Sequence, residues 1–223
     1  MAGVTLTATL FDMDGLLIDS EILWHQAELE ILGGLGVPLA TEGARSTKGM
    51  FVAEVVDYWR ERYPWSGPSS EDVVDQILTR VGDLVETTGR LLPGAVRAID
   101  LTSQRGPVAL ASSTPVPLIE RSLRHFGLLE RFSVICSGAN EPYGKPHPGV
   151  FLTAASRVGA DPRSCLVFED SAAGVLAAKA GRMTCIAVPA KEDLHLPAFG
   201  LADVVLASLE DLDEAWLNEY FSL

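Results

Sequence analysis

The sequence of 223 residues has little cysteine, a shortage of positive charge and no long hydrophobic run. Its three cysteines are an odd number without the spacing of a metal site, and Cys165 and Cys185 lie in apolar runs typical of buried thiols. Lysine and arginine number 17 against 30 acidic residues, and the net charge of −13 argues against nucleic acid or an anionic membrane as a partner. No apolar stretch approaches the roughly 18 residues of a membrane-spanning helix, and no signal peptide is visible. These absences predict a protein of the reducing cytoplasm.

The hydrophobic content of 48% and charged content of 21% indicate a folded globular chain, long enough for one sizeable domain or a core domain with an insert. Apolar runs alternate with helical patterns, which is typical of an α/β fold with a parallel sheet and helices on both faces. Only helical patterns occupy the segment 18–90. We therefore expect an α/β core formed by residues 1–17 and 91–223, with an all-helical insert between them. The predicted strands cover residues 8–11, 107–111, 133–136, 164–168, 183–188 and 204–206.

The first of these runs ends in two carboxylates two residues apart, Asp12 and Asp14, followed by Gly15. A short apolar run before a helical pattern predicts a buried parallel strand, and ligands bind beyond the carboxyl ends of such strands. Two acids at one strand end repel each other unless a cation neutralises them. An isolated pair of this kind is as often a simple turn. The rest of the chain decides between these alternatives.

Three further strands of the predicted sheet also end in polar residues. Ser112 and Ser113 follow one strand, Lys145 lies in the loop after the next, and Glu169 and Asp170 follow another. Taken singly, Ser112 or the acidic pair could cap a helix, and Lys145 could be a solvated loop lysine. Because the carboxyl ends of parallel strands meet at one edge, the four sets together predict a single site.

These four segments resemble the motifs of the haloacid dehalogenase superfamily of phosphohydrolases. The resemblance rests on Asp12–Gly15, on Ser112 at a strand end, on the loop Gly144–Pro148 and on the turn Glu169–Ser171. Their order covers nearly the whole chain, and the helical insert 18–90 matches the C1-type cap of that family. Among its subgroups the chain resembles the β-phosphoglucomutase-like sugar phosphatases. The resemblance implies a three-layer Rossmann-like core and an enzyme that hydrolyses phosphoric monoesters.

The resemblance also implies a magnesium site. Its ligands would be Asp12, the backbone carbonyl of Asp14, and Asp170, with Glu169 binding directly or through water. Oxygen donors of this kind suit Mg²⁺, and a divalent cation would offset the repulsion between a carboxylate and a phosphate dianion.

In catalysis, the resemblance assigns the nucleophile to Asp12, which would form an aspartyl-phosphate. Lys145 would neutralise charge on the nucleophile and the phosphate, and Ser112 would donate a hydrogen bond to a phosphate oxygen. The Asp14 carboxyl group would protonate the leaving oxygen and later activate water.

The expected substrate is a small phosphorylated sugar or sugar alcohol, such as a hexose, 2-deoxyhexose or hexitol phosphate, held by a monomeric enzyme beneath the insert. Trp24, Lys48 and Met50 are the insert residues expected to face it, although Trp24 on an amphipathic helix is also typical of a packed core. The predicted substrate-binding residues are Gly15, Trp24, Lys48, Ser112, Ser113 and Lys145.

A sugar phosphomutase is the main alternative function. Such enzymes carry a histidine where this chain has Trp24, and the neighbouring His25 points about 100° away on a helix. They also carry an arginine at the position of Val52, so a grip on a second phosphate is not expected here. A catalytically silent binding module is disfavoured because every motif position keeps a reactive residue type. A dehalogenase is disfavoured because it has no use for Asp14.

Overall fold

The computed structural model describes residues 5–39 and 50–220, so Lys48 lies outside the described residues. A six-stranded sheet runs through the molecule in the order β3-β2-β1-β4-β5-β6, with every neighbouring pair parallel. This is the strand order of a doubly wound sheet, in which the chain direction across the sheet reverses beside β1. The strands are β1 (Ala8–Phe11), β2 (Val108–Ser112), β3 (Val134–Ser137), β4 (Cys165–Glu169), β5 (Thr184–Ala187) and β6 (Val204–Val205).

The helices follow the predicted alternation with the strands. Within the described residues, none is both long and apolar enough to cross a bilayer. The ends of the six strands differ from the predicted ones by at most one residue. The helices are α1 (Glu21–Gly34), α2 (Val52–Arg62), α3 (Ser70–Thr88), α4 (Ala95–Ser103), α5 (Val116–His125), α6 (Gly149–Arg157), α7 (Ala172–Ala180) and α8 (Glu214–Tyr220).

Successive side chains along each strand point into two different apolar cores, one on each face of the sheet. Phe11 and Phe168 stack at 4.7 Å between ring centroids and pack with α4 and α5. Leu10 and Val167, their neighbours along the chain, pack on the other face with α6 and α7. Strands buried on both faces are apolar throughout, which is why they were visible as unbroken runs. The expected three-layer α/β architecture is therefore confirmed.

The insert has a third apolar core of its own, built by α1, α2 and α3 around the fully buried Trp59. Its two connections to the sheet run side by side. Ile18 pairs with Leu91, and the Asp19 N–H donates to the Arg90 carbonyl at 2.9 Å. This arrangement supports the predicted boundaries at 17/18 and 90/91, which remain a prediction.

Helix α8 was not predicted from the sequence. Its seven residues are too few to show a clear helical period, but Leu217 is fully buried and Trp216 packs beside it against the core. Tertiary packing therefore stabilises a helix whose local pattern is weak. The predicted burial of Cys165 and Cys185 is confirmed, since both are inaccessible to solvent.

Candidate active site

Asp12 is the first residue beyond β1, and its N–H extends the ladder by donating to the Phe168 carbonyl at 3.1 Å. This places its carboxylate between β1 and β4, at the carboxyl edge of the sheet. The Lys145 Nζ donates to Asp12 Oδ1 at 2.6 Å and also contacts Glu169 Oε1. The ammonium lies 4.8 Å from the centroid of the Phe151 ring, which covers its apolar side. The structure thus brings together three of the predicted site residues from three different strand ends.

Burial dominates the electrostatics of this group. It raises the pKa of Asp12 to about 7; the charge of Lys145 opposes the shift, and those of Glu169 and Asp14 add to it. Burial acts to lower the pKa of Lys145, but the charges of Asp12 and Glu169 hold it above its ordinary value. Lys145 is therefore an ammonium throughout the physiological range. The one positive charge of Lys145 does not balance the acidic groups Asp12 and Glu169 that it contacts in this buried site.

Glu169 is fully buried, and contacts within the protein engage both oxygens of its carboxylate. Oε1 contacts Lys145, and Oε2 accepts from the Ser171 N–H and hydroxyl, each at 2.9 Å. Gly174, in the first turn of α7, makes room for this carboxylate, because a Cβ there would overlap it. These contacts orient Lys145, and they favour the predicted water-mediated role of Glu169 at a metal over direct ligation.

The Asp14 carboxylate has a different set of partners from Asp12 and accepts four side-chain hydrogen bonds. Oδ1 accepts from the Ser20 hydroxyl at 2.7 Å and the Trp24 indole N–H at 3.0 Å. Oδ2 accepts from the Thr114 hydroxyl at 2.7 Å and the Ser112 hydroxyl at 3.3 Å. Two donors come from the start of the insert, one from the last residue of β2 and one from the loop that follows it. The carboxylate proposed to move a proton is therefore held jointly by the insert and the core.

Three of these four donors were missed or interpreted differently from the sequence. Ser20 occupies the N-cap position of α1 but makes no capping bond there, because its hydroxyl donates to Asp14. Trp24 was expected to face the substrate or to pack in a core, and its indole N–H instead donates to Asp14. Thr114 was not singled out, although its position two residues after Ser112 was a usable signal. Ser112 also accepts from the Thr114 N–H at 3.1 Å, which fixes the turn after β2.

Gly15 and Asp170 meet at the remaining side of the site. Gly15 has a φ of 75°, in the region that favours glycine, and a Cβ there would overlap the Asp170 carboxylate. The Asp170 side chain therefore lies directly against the backbone that follows Asp14, and Asp170 is only 4% exposed. Within 5–39 and 50–220 no three acidic, histidine or cysteine side chains form a ready-made metal cage. Mg²⁺ does not need one, since it binds through one or two carboxylates plus carbonyl, water and phosphate oxygens. The buried carboxylates of Asp12 and Asp170, with the backbone carbonyl of Asp14 between them in the chain, fit such an ion.

The other predicted substrate-binding residues are less tightly defined. Ser113 is half-buried beside Gly138, in the loop that follows β3. Met50 is exposed at the start of α2. His147, in the loop that carries Lys145, accepts a hydrogen bond from the Gly149 N–H at 3.1 Å.

Comparison with known proteins agrees with this geometry. The model of the haloacid dehalogenase-like hydrolases matches residues 6–182, most of the chain and all four strand-end motifs. The chain belongs to the haloacid dehalogenase-like hydrolases. It is 45% identical to hexitol phosphatase B of Escherichia coli K12 over 209 residues, which cover 93% of this chain and 94% of that protein. Fructose-1-phosphate phosphatase of the same organism is 28% identical over 80% of this chain and 94% of its own length.

Among solved structures, a β-phosphoglucomutase from Clostridium difficile superposes with a TM-score of 0.82 over 97% of both chains. Its identity of 24% supports the shared fold alone. The predicted membership of this hydrolase family and the expected class, a phosphoric monoester hydrolase, are confirmed by these relatives. Within the family, Asp12–Glu21 and Trp65–Ser69 had suggested similarity to a 2-deoxyglucose-6-phosphatase, also described as a hexitol phosphatase. The relative from Escherichia coli agrees with that suggestion.

Proposed function

We propose that this hydrolase is a Mg²⁺-dependent phosphatase of hexose, 2-deoxyhexose or hexitol monophosphates that acts through an aspartyl-phosphate. The observation that carries the proposal is the buried Asp12–Lys145 pair, 2.6 Å apart, at the edge of the sheet where Asp14 supplies a second, separately held acid. A nucleophile beside an ammonium and a distinct proton donor are the groups that phosphoryl transfer requires. The similarity to hexitol phosphatase B over nearly the whole chain supports the substrate class.

Mg²⁺ would be held by Asp12, the Asp14 carbonyl and Asp170, and when bound it supplies positive charge to the phosphate oxygens. The protein's own side chains would position the nucleophile and bind the phosphate. Lys145, oriented by Glu169, holds Asp12 in place and offsets the charge that gathers in the transition state. Ser112 lies 3.3 Å from Asp14 Oδ2 and is placed to donate to a phosphate oxygen once that contact is exchanged.

In the first step an Asp12 oxygen bonds to phosphorus as the bond from phosphorus to the sugar oxygen breaks. The leaving oxygen takes a proton from the carboxyl group of Asp14. In the second step the Asp14 carboxylate removes a proton from water, whose oxygen bonds to phosphorus while the bond to Asp12 breaks. Inorganic phosphate leaves, and both carboxyl groups return to their starting states.

Phosphate release from a panel of hexose, 2-deoxyhexose, hexitol and nucleotide monophosphates, with Mg²⁺ and after exhaustive chelation, tests this proposal. We expect multiple turnovers with the sugar and hexitol phosphates and loss of activity after chelation. Full activity without a divalent cation, or a preference for nucleotides, would contradict it.

A further inference from the structure

The first helix of the insert presents one face to the catalytic loop. Glu21 Cγ lies 3.6 Å from where a Cβ of Gly15 would be, and the Trp24 indole N–H reaches Asp14 at 3.0 Å. Residues four and seven positions apart share a helix face. Glu28 is therefore on this same face, one turn beyond Trp24 and about 6 Å further along the axis. Glu28 thus continues the helix face that begins with Glu21 and Trp24 beside the catalytic loop.

The other faces of α1 are accounted for by different residues. Leu23 and Ala27 pack into the apolar core of the insert. Glu30 points outward, where its carboxylate is bound by the Arg80 guanidinium at 2.6 and 3.0 Å. Only 8% of the surface of Glu28 is exposed, and Trp24 and Leu32, four residues before and after it, pack against the apolar core of the insert. It is a buried acid one helical turn beyond the indole that donates to Asp14.

Two polar groups on this side of α1 lack partners. Across the described parts of the chain, no hydrogen bond or ion pair reaches the Glu28 carboxylate. The Nδ1 atom of His25, three residues earlier and so adjacent on the helix surface, is likewise buried without a hydrogen-bond partner in the described structure. Burial, with a further contribution from the charge of Glu21, raises the pKa of Glu28 to about 7. A buried polar atom left unpaired is costly, as at His25 Nδ1. Beside it the slightly exposed Glu28 carboxylate keeps its acceptors open, so a ligand can supply partners to both groups.

We propose that Glu28, with His25 beside it, is the insert-side receptor for the hydroxyl groups of the substrate. The inference rests on the proposed function and adds the residue that selects the leaving group. Above pH 7 the Glu28 carboxylate is ionised and only accepts hydrogen bonds, so it then matches the hydroxyl donors of a sugar or sugar alcohol. The same charge repels a second phosphate on the far end of the substrate. Glu28 thereby favours monophosphates of polyhydroxy compounds over bisphosphates.

The test compares two substrates that differ in their hydroxyl groups, sorbitol 6-phosphate and para-nitrophenyl phosphate, in the Mg²⁺-loaded enzyme. Glu28→Gln keeps the side-chain shape and removes the charge, whereas Glu28→Leu removes both acceptors. Loss of a hydrogen bond to a charged group corresponds to about a 10- to 100-fold change. We expect kcat/KM for sorbitol 6-phosphate to fall by about that factor in Glu28→Leu, mainly through KM. With para-nitrophenyl phosphate the change should stay within about threefold.

Glu30→Gln is the matched control, because it removes a carboxylate from the outer face of the same helix and should leave both substrates unaffected. Glucose 1,6-bisphosphate should inhibit Glu28→Gln about tenfold more strongly than the unmodified enzyme, since the repelling charge is gone. Equal losses with both substrates, or no loss with either, would overturn the assignment. If the unmodified enzyme cleaves para-nitrophenyl phosphate but no sugar or hexitol phosphate, the proposed function fails and this inference falls with it. If it cleaves them and Glu28→Leu does not discriminate, only this inference is wrong.

Discussion

Gly174→Ala should destabilise the protein although it replaces a helical glycine, a change that ordinarily favours folding. In an open helical position alanine is better than glycine by about 1 kcal/mol. At Gly174 the added Cβ would overlap the fully buried Glu169 carboxylate. Moving that carboxylate breaks its contacts with Lys145 and Ser171, and breaking a buried ion pair costs about 3–5 kcal/mol. The net expectation is a loss of about 2–4 kcal/mol in the free energy of unfolding.

For a domain of this size, that loss lowers Tm by roughly 4–16 °C in calorimetry or circular dichroism. Phosphatase activity should fall as well, because Glu169 orients Lys145. Gly33→Ala is the control: Gly33 lies in α1, a Cβ there meets no atom within 4 Å, and the substitution should raise Tm slightly. The double variant Gly174→Ala/Glu169→Ala should be no less stable than Glu169→Ala alone, since the overlapping group is gone. A Gly174→Ala protein as stable as the unmodified one would refute this account of the site.

The remaining predictions concern the nucleophile, pH and product. Asp12→Asn should abolish phosphate release while leaving the circular dichroism spectrum unchanged; activity beyond what deamidation explains would exclude Asp12 as nucleophile. In the folded protein the pKa of Glu28 is about 7, above its ordinary value of 4.5. Between pH 4.5 and pH 7 the folded state keeps a proton that the unfolded state releases, so the free energy of unfolding falls as the pH rises through this range. Glu28→Gln should therefore stabilise the protein above pH 7, by about 3 kcal/mol at most, and have little effect below pH 4.5 in urea unfolding. With β-glucose 1-phosphate and added bisphosphate, free phosphate should form faster than glucose 6-phosphate; the reverse order would support a mutase.

The sheet was predictable because its central strands β1, β2 and β4 are buried on both faces and therefore form largely unbroken apolar runs. The approximate place of Asp12, Lys145 and Glu169 followed from the same fact, since the ends of parallel strands share one edge. What each carboxylate touches did not follow. Glu169 is enclosed by Gly174, five residues later and in another element, and nothing in the local pattern of α7 reports that a carboxylate occupies the missing Cβ.

The contacts of Asp14 show a second limit. Its partners Ser112 and Thr114 lie about a hundred positions away, and Trp24 contributes only through one polar atom of a largely apolar ring. Residue type alone favoured an apolar role for Trp24. The direction of a side chain depends on packing around it, which hydrophobic periodicity does not encode.

The insert also contacts the loop that carries Lys145. The ring of Phe51, at the N-terminus of α2, lies where side chains of Gly144 and Gly138 would otherwise be, with ring atoms 2.6 and 3.1 Å from those Cβ positions. Gly144 precedes Lys145, so one residue of the insert rests on the loop that carries the ammonium while Trp24 holds the proposed proton donor. Hydrogen bonds and packing from a single helical unit thus reach both sides of the nucleophile. Movement of the insert about its paired connections at Ile18 and Leu91 would alter both contacts together, which is how a lid can link substrate enclosure to the placement of catalytic groups.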